Sequence, residues 1–260
     1  MATAKITLTG AKETLLYTLY FRALDHRSKA PLVGDPWADE VLSRIDHNHR
    51  KLKMRASDRF FVLLRAKRLD DWTREFLDRH PDATVLHLGC GLDSRAFRID
   101  APEAVRWYDL DYPEVIELRR RVYPERDSYQ MIASSVTDPG WLDGIPTDRL
   151  VLVIAEGLLM YLAETDVKQL FGRLVDRFPH SELFFDAMTP GVTKLSKLLG
   201  WSLRDPDELE RWNPRLTLID DVPIISDFER IPLMRYRMTY RLLNTIPATR
   251  NMVRLLRYRF

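Results

Sequence analysis

Residues 85–93 read Val-Leu-His-Leu-Gly-Cys-Gly-Leu-Asp, a short apolar run that leads directly into a turn with two glycines. An apolar run of this length that is bounded by glycine is typical of a buried strand. In an open α/β sheet, ligands bind beyond the carboxyl ends of the strands, where glycines let a nucleotide approach the backbone. This stretch therefore predicts a buried strand at 85–88 that ends at a nucleotide-binding turn.

Four more short apolar runs follow this strand, with amphipathic stretches between them. The runs lie at 105–109, 129–132, 150–155 and 182–186, and helical spacing is found at 113–122 and 164–178. Two further helical patterns, 13–25 and 58–79, precede the first strand. Strands that alternate with helices predict right-handed βαβ units and a parallel sheet covered on both faces. We expect a doubly wound, Rossmann-like α/β fold with helices at its N-terminus.

The pattern is less regular beyond residue 186. A stretch rich in Trp and Pro, within 189–244, is expected to form a helical lid over the site. Arg235, Arg237 and Arg241 alternate with Tyr and Met, which is typical of a strand with one face in water. Strand-like patterns also occur at 228–233 and 252–259.

The chain has no convincing linker and no internal repeat, so we expect a single domain over residues 1–260. Its parts would be an N-terminal helical cover at 1–80, a cofactor-binding core at 84–186 and the substrate lid at 189–244.

Composition and charge limit the class of protein. The 260 residues include 45% hydrophobic and 30% charged residues with a net charge of +2, so neither disorder nor strong attraction to nucleic acid is expected. The N-terminus has no apolar signal-peptide core, and no apolar run approaches the roughly 18 residues of a membrane span. The single cysteine, Cys90, favours a reducing compartment. We expect a cytoplasmic protein that binds neither nucleic acid nor membrane, and its oligomeric state stays open.

Acidic residues distinguish two kinds of nucleotide ligand. Asp109 and Asp111 end the second predicted strand, and Asp111 follows Gly91 at a spacing that lets a carboxylate accept both hydroxyls of a ribose. Ser94 replaces the third glycine of a dinucleotide site, and Asp93 would repel a pyrophosphate. S-adenosylmethionine, with a sulfonium cation instead of phosphates, is therefore favoured over NAD.

Three alternatives stay open at this point. The chain could be an NAD(P)-dependent oxidoreductase or a non-catalytic sensor that binds a cofactor. The glycines could also form a turn without any ligand, with Asp93 capping the next helix.

Three ordered motifs together resemble the leucine carboxyl methyltransferase family. They are LGCGLDSRAFR at 88–98, WYDLDYPEV at 107–115 and IAEGLLMYL at 154–162. The resemblance covers 28–186, with weaker similarity at 205–216, and is strongest to the bacterial branch of polyketide O-methyltransferases. It implies a class I methyltransferase sheet, S-adenosylmethionine as cofactor, and transfer of a methyl group to a carboxylate or hydroxyl of a small-molecule acceptor.

The resemblance also implies roles for residues in these motifs. Gly89 and Gly91 would line the methionine end of the cofactor, and Asp111 would bind the ribose. Glu156, at the end of the fourth strand, would lie beside the cofactor.

Two cations from the N-terminal helices bind the methionine carboxylate in the family. Lys29 and Arg65 match those positions best here, with Arg59 as a rival for the second role. The assignment is physically reasonable because a carboxylate removed from water needs charged donors, and arginine offers two parallel hydrogen bonds.

The family often has an acidic residue near the end of the third strand that binds the adenine amino group. Ser135 takes that position here and Val136 would flank the ring, while Asp138 is expected to start a turn. Tyr161, which follows Glu156 by about one turn, could position the methyl acceptor.

Several side chains are expected to have no chemical role. Cys90 sits where only a small residue fits, His87 is expected to belong to the core, and none of the six histidines has metal-ligand spacing. No general base stands out. Arg204, Arg211 or an arginine of the basic C-terminal segment could orient an anionic acceptor.

Overall fold

A computed structural model of the protein describes residues 4–5, 14–46, 58–194, 196 and 198–260. The strands in these residues are β1 (Ala4–Lys5), β2 (Ile45–Asp46), β3 (Thr84–Leu88), β4 (Arg106–Asp111), β5 (Tyr129–Ala133), β6 (Val151–Ala155), β7 (Glu182–Met188), β8 (Thr217–Pro223) and β9 (Val253–Arg259). The helices are α1 (Thr14–His26), α2 (Pro36–Arg44), α3 (Asp58–Arg79), α4 (Arg95–Arg98), α5 (Pro113–Val122), α6 (Glu164–Arg177), α7 (Pro190–Thr193), α8 (Asp207–Trp212), α9 (Met234–Thr245) and α10 (Pro247–Arg250). Short 3-10 helices lie at Pro139–Gly144, Leu159–Tyr161 and Ile224–Arg230.

Seven of these strands form one mixed sheet with the order β5-β4-β3-β6-β7-β9-β8. The five strands from β5 to β7 are parallel, and β9 is antiparallel to both of its neighbours. The chain builds β3, β4 and β5 outward and then returns to place β6 on the other side of β3. This reversal creates a crevice at the carboxyl ends of β3 and β6, the usual ligand position in such sheets.

Helices cover both faces of the parallel strands. All five residues of β3 and all five of β6 are buried, as expected for central strands of a doubly wound sheet. One face packs on α6, and the other packs on α3 and the 3-10 helix Ile224–Arg230. A third apolar cluster joins α1 and α2 to α5 at the edge of the sheet. The expected Rossmann-like α/β fold is confirmed.

The predicted elements before residue 190 are found in the structure. The patterns at 58–79 and 113–122 correspond to α3 and α5, and the five predicted strands correspond to β3 to β7, with ends shifted by at most two residues. The first helix was expected at 13–25 and is α1; residue 13 lies outside the described residues.

The predictions for the C-terminal part need correction. Arg235, Arg237 and Arg241 lie on α9 and not on a strand. The residues of α9 that pack on the core include Tyr236, Tyr240 and Leu243, and the first two contact Phe60, so the buried face has helical spacing. At the predicted strand 228–233, residues 228–230 end a 3-10 helix and residues 231–233 form no strand. The expected lid at 189–244 contains β8, which pairs with β9 in the sheet.

A buried charge pair joins β4 to α5. Arg119 Nη2 donates to Asp109 Oδ2, and the same oxygen accepts a hydrogen bond from the Tyr129 hydroxyl at 2.6 Å. The other oxygen of Asp109 accepts from Trp107 Nε1 at 2.9 Å. Burial alone would raise the pKa of the Asp109 carboxyl, but the Arg119 charge and the hydrogen bonds from His87 and Tyr129 hold it below its usual value. Asp109 is therefore an ionised structural group.

We predict that Asp109→Asn lowers the free energy of unfolding by roughly 3–5 kcal/mol, because the Arg119 guanidinium then stays buried without its counter-charge. Denaturant unfolding followed by circular dichroism measures this loss. Asp148→Asn is the matched control and should keep the parent midpoint of unfolding. Asp148 also pairs with an arginine, Arg106 of β4, but this pair is exposed. Equal midpoints for the two variants would contradict the assignment.

Candidate active site

A cavity of about 550 Å³ lies at the point where the strand order reverses. Its walls come from the turn after β3, the end of β4, the segment after β6, and helices α1 and α3. The cavity brings together six of the residues that the sequence assigned to the site: Arg65, Gly89, Gly91, Asp111, Glu156 and Tyr161. Residues that are far apart in the sequence therefore meet at the predicted edge of the sheet.

The turn after β3 needs glycine at two positions. Gly89 and Gly91 have φ of +60° and +50°, a region that other residues rarely adopt. A Cβ atom on Gly89 would lie 2.8 Å from Leu158 Cδ1, which is closer than packed atoms approach. The turn can therefore pass close beneath the segment that follows β6.

Buried donors hold the carbonyl oxygens of this turn. Arg119 Nη1 donates to the carbonyls of Gly91 and Asp93, both at 2.8 Å. The carbonyl of Leu92 accepts from Arg22 Nη2 and from the Tyr123 hydroxyl, both at 3.0 Å. These donors belong to α1, to α5 and to the residue after α5. They therefore fix the position of the turn relative to these two helices.

Two backbone amides at this site already donate hydrogen bonds to carboxylates. The amide of Gly91 donates to Asp111 Oδ2 at 2.7 Å, and that of Arg95 donates to Asp93 Oδ1 at 3.1 Å. The second oxygen of Asp111 accepts from the Tyr112 amide at 2.7 Å. Burial raises the pKa of Asp111 despite these two amide donors. The turn thus presents a fixed carboxylate to the cavity, and two amides that could bind a phosphate are engaged.

A network of buried ion pairs lies behind the turn. It joins the carboxylates of Asp35, Asp70, Asp93, Glu156 and Asp186 to the guanidinium groups of Arg22, Arg65, Arg95 and Arg98. Each of these side chains is at most 10% exposed. The network connects the N-terminal helices to β6 and β7, so the sheet and its helical cover share one set of charges.

Glu156 is the member of the network at the end of β6. Its two oxygens accept hydrogen bonds from Arg65 Nε at 3.0 Å and from Arg95 Nη2 at 2.5 Å. Burial would raise the pKa of this carboxyl, but the charges of Arg95 and Arg65 lower it to about 2. Glu156 is therefore ionised at neutral pH and is not available as an acid.

The structure does not bring Lys29 to the cavity. Its side chain is exposed in the loop after α1 and is not part of the cavity lining. In the same loop, the Asp25 carboxylate accepts hydrogen bonds from the amides of residues 32–34. Arg22, on α1, lines the cavity instead and is 1% exposed. Sequence reasoning missed Arg22, although an arginine three positions after Leu19, on the apolar face of a helix, was a signal of a buried charge.

Arg59, the rival of Arg65, also lies away from the cavity lining. Its guanidinium stacks on the ring of Phe60, with the central carbon 4.5 Å from the ring centroid. Arg65 is held at the cavity by Glu156 and by Asp186, whose Oδ2 accepts from Arg65 Nη1 at 3.0 Å. Asp186 was missed as well, although a carboxylate that follows the apolar run Leu183–Phe185 near the end of β7 is a signal of function.

The predicted adenine contacts are next to the cavity but are not part of its lining. The amide of Ser134 donates to the carbonyl of Asp111 at 3.0 Å, so Ser135 and Val136 follow β5 beside the end of β4. The Ser135 hydroxyl lies 2.8 Å from that of Thr137, and Val136 is buried. Asp138 caps the 3-10 helix that follows it, which confirms the predicted turn.

The other end of the cavity is apolar. Its lining residues include Leu158, Met160, Leu162, Met188 and Leu198. Tyr161 belongs to the same wall, and its hydroxyl has no hydrogen-bond partner among the described residues. Within the expected lid, residue 198 reaches the cavity, whereas Arg204 and Arg211 do not line it, and Arg211 pairs with Asp205 at the surface.

The remaining expectations concern groups without a proposed role. Cys90 is buried, and burial raises the pKa of its thiol well above the usual value. His87 is buried with Nδ1 3.2 Å from Asp109 Oδ1, although it also borders the cavity. Where the structure describes the chain, it has no group of potential metal ligands and no helix able to cross a membrane. His47 and His49 lie outside the described residues.

Comparisons with known proteins agree with this arrangement. The sequence model for leucine carboxyl methyltransferase matches residues 16–128. The chain is 44% identical to the tetracenomycin polyketide synthesis O-methyltransferase TcmP of Streptomyces glaucescens, with 98% of each chain covered. It is 36% identical to the S-adenosyl-L-methionine-dependent methyltransferase dpfgK of Gibberella zeae, with 87% of each chain covered.

The fold is also similar to that of a solved methyltransferase candidate from Thermobifida fusca. The TM-score is 0.61 at 19% identity, and the match covers 92% of this chain and 93% of the other. The sheet is thus of the class I methyltransferase type, and the sequence similarity to TcmP extends over nearly the whole length of both chains. The chain therefore belongs to the leucine carboxyl methyltransferase family.

Proposed function

We propose that the protein is an S-adenosylmethionine-dependent O-methyltransferase whose acceptor is a carboxylate on an apolar, polyketide-type small molecule. The observation that carries this proposal is the Asp111 carboxylate, which two backbone amides fix at the cavity beside the glycine turn. The names of two relatives support the reaction class: TcmP is an O-methyltransferase of polyketide synthesis, and dpfgK depends on S-adenosyl-L-methionine.

The cavity residues suit the parts of this cofactor. Asp111 accepts hydrogen bonds from the ribose hydroxyls, and the adenine extends toward Ser135 and Val136. Gly89 and Gly91 let the methionine end pass close to the backbone, because a Cβ atom on Gly89 would lie 2.8 Å from Leu158.

Charged groups bind the amino-acid end of the methionine moiety. Arg22 and Arg65 line the cavity and supply guanidinium donors for the carboxylate. Glu156 is ionised beside them and attracts the positive charges of the cofactor. A dinucleotide fits less well, since the amides of Gly91 and Arg95 that could bind its pyrophosphate already donate to carboxylates.

When bound, the cofactor would supply a methyl group on a positively charged sulfur; the acceptor oxygen would bond to the methyl carbon as the carbon–sulfur bond breaks, and S-adenosylhomocysteine would leave. The protein contributes alignment and the exclusion of water, which are the main requirements of such a transfer. The apolar wall around Met160, Leu162 and Met188 excludes water from the acceptor end. The Tyr161 hydroxyl positions the acceptor oxygen by a hydrogen bond.

The charged groups of the cavity favour a carboxylate over a hydroxyl as acceptor. A phenol has a pKa of about 10 and benefits from a general base, whereas a carboxylate is already ionised at neutral pH. Glu156 and Asp93 are engaged with arginines, and Asp111 is bound by amides. Among the described residues, the lining also includes one imidazole, that of His87, whose Nδ1 lies 3.2 Å from Asp109 Oδ1.

We predict that Asp111→Asn weakens the binding of S-adenosylhomocysteine at least about tenfold, because the amide side chain cannot accept two charge-assisted hydrogen bonds. Isothermal titration calorimetry measures the affinity. Asp148→Asn should bind like the parent, because Asp148 is exposed and pairs with Arg106 at the amino end of β4, whereas the turn lies at the carboxyl ends of the strands. Binding of NAD in place of S-adenosylhomocysteine would show that the ligand class is wrong.

We predict that Arg22→Lys and Arg65→Lys each weaken S-adenosylhomocysteine about tenfold or more, since lysine cannot form the paired hydrogen bonds of a guanidinium. Binding of 5′-methylthioadenosine, which has no amino-acid end, should change less than about twofold by the same reasoning. Lys29→Ala is the control and should change neither affinity, because Lys29 is exposed outside the cavity lining. If Lys29→Ala alone lost affinity for S-adenosylhomocysteine, Lys29 would be the cation that binds the methionine carboxylate, as the sequence predicted.

We predict that transfer of labelled methyl groups to a panel of apolar aromatic compounds yields base-labile methyl esters of carboxylic acids. The rate should vary little between about pH 6 and 9, because an acceptor carboxylate with a pKa near 4 is ionised throughout. Tyr161→Phe should raise the acceptor KM and leave the affinity for S-adenosylhomocysteine unchanged.

Other outcomes of this panel have clear meanings. Methyl ethers, formed at a rate that rises with pH, would show that a hydroxyl is the acceptor. Cofactor binding without turnover on any acid or phenol would favour a sensor over an enzyme.

A further inference from the structure

We propose that Asp186 is a positioning residue for the methionine end of the cofactor, because it holds Arg65 and the segment after β6 in a fixed relation. This inference rests on the proposed function, in which Arg65 binds the methionine carboxylate. Asp186 itself is not among the residues that line the cavity, so it would act through its neighbours.

Each oxygen of Asp186 binds a different element of the site. Oδ1 accepts a hydrogen bond from the amide of Gly157 at 2.5 Å, and Oδ2 accepts from Arg65 Nη1 at 3.0 Å. The side chain is fully buried near the end of β7. One carboxylate therefore links α3 to the segment that follows β6.

These contacts leave one edge of Arg65 for a ligand. Nε donates to Glu156 and Nη1 donates to Asp186, while Nη2 has no partner among the described residues. A planar guanidinium with two fixed N–H groups cannot turn without losing a charge-assisted hydrogen bond. The orientation of Nη2 at the cavity is thus set before any ligand binds.

Gly157 allows this guanidinium to lie unusually close to the backbone. A Cβ atom at Gly157 would be 3.3 Å from both terminal nitrogens of Arg65, and the φ of +64° also favours glycine. The next residue, Leu158, packs over Gly89 in the cavity. By holding the Gly157 amide, Asp186 fixes the contact surface on both sides of the methionine position.

An ion pair that only stabilised the fold would not distinguish between ligands. If Asp186 positions Arg65, its loss must weaken ligands with the amino-acid end and spare ligands without it. Asp227 provides a matched control, because it also binds an arginine of α3, accepting from Arg68 Nε at 2.9 Å, away from the cavity.

The test compares S-adenosylhomocysteine with 5′-methylthioadenosine by calorimetry on Asp186→Asn, Asp227→Asn and the parent. We expect Asp186→Asn to lose about tenfold in affinity for S-adenosylhomocysteine and less than about twofold for 5′-methylthioadenosine. Asp227→Asn should keep both affinities. Unchanged S-adenosylhomocysteine binding by Asp186→Asn, or an equal loss for both ligands, would overturn the positioning role.

A second variant covers the case in which Asp186→Asn does not fold. Gly157→Ala places a methyl group against the Arg65 guanidinium and should give the same ligand-selective loss. Full S-adenosylhomocysteine affinity in Gly157→Ala would contradict the proposal. If Arg65→Lys also kept that affinity, the fault would lie in the proposed role of Arg65 and not in Asp186 alone.

Discussion

The shape of the glycine turn depends on one buried interaction, the pair between Asp109 and Arg119. Arg119 uses Nη2 to bind Asp109 on β4 and Nη1 to bind the carbonyls of Gly91 and Asp93. The turn is thereby fixed relative to β4, the strand that ends in Asp111. Since the amide of Gly91 in turn holds the Asp111 carboxylate, the same pair sets both the backbone of the turn and the proposed ribose ligand. In a low-dielectric interior such connected hydrogen bonds reinforce each other.

The structure changes the reason why this turn disfavours a phosphate. From the sequence, Asp93 was expected to repel a phosphate by its negative charge. In the structure, Arg22, Arg95 and Arg98 surround that carboxylate and hold its pKa well below the usual value against the effect of burial. The exclusion comes instead from occupancy, because Asp93 and Asp111 take the backbone amides that a pyrophosphate would need. The preference for a sulfonium cofactor over a dinucleotide therefore follows from these hydrogen bonds and not from the charge of Asp93.

The sequence predicted the helices and strands whose apolar residues follow a regular local spacing. It did not predict the features that depend on contacts between residues far apart in the chain. Strands β3 to β7 and helices α3 and α5 have apolar spacings that point to one structure. The segment at 234–245 is ambiguous, since alternating Arg with Tyr or Met fits a strand, while Tyr236 and Tyr240 also fit one face of a helix. The contact of these tyrosines with Phe60 settles the choice, and no local pattern contains it. The ion network is of the same kind, because Arg65 meets its partner Asp186 across 121 residues.

The two ends of the cavity differ in how strongly the fold constrains them. At the cofactor end, charged side chains are bound to one another through directional hydrogen bonds, and a change in one leaves a buried charge without its partner. At the proposed acceptor end, Leu158, Met160, Leu162 and Met188 make apolar contacts that depend on area and shape and not on direction. Substitutions there can reshape the acceptor pocket without disturbing the network. This difference explains why the residues around the glycine turn indicate the cofactor, whereas the apolar residues at the other end of the cavity say little about which molecule receives the methyl group.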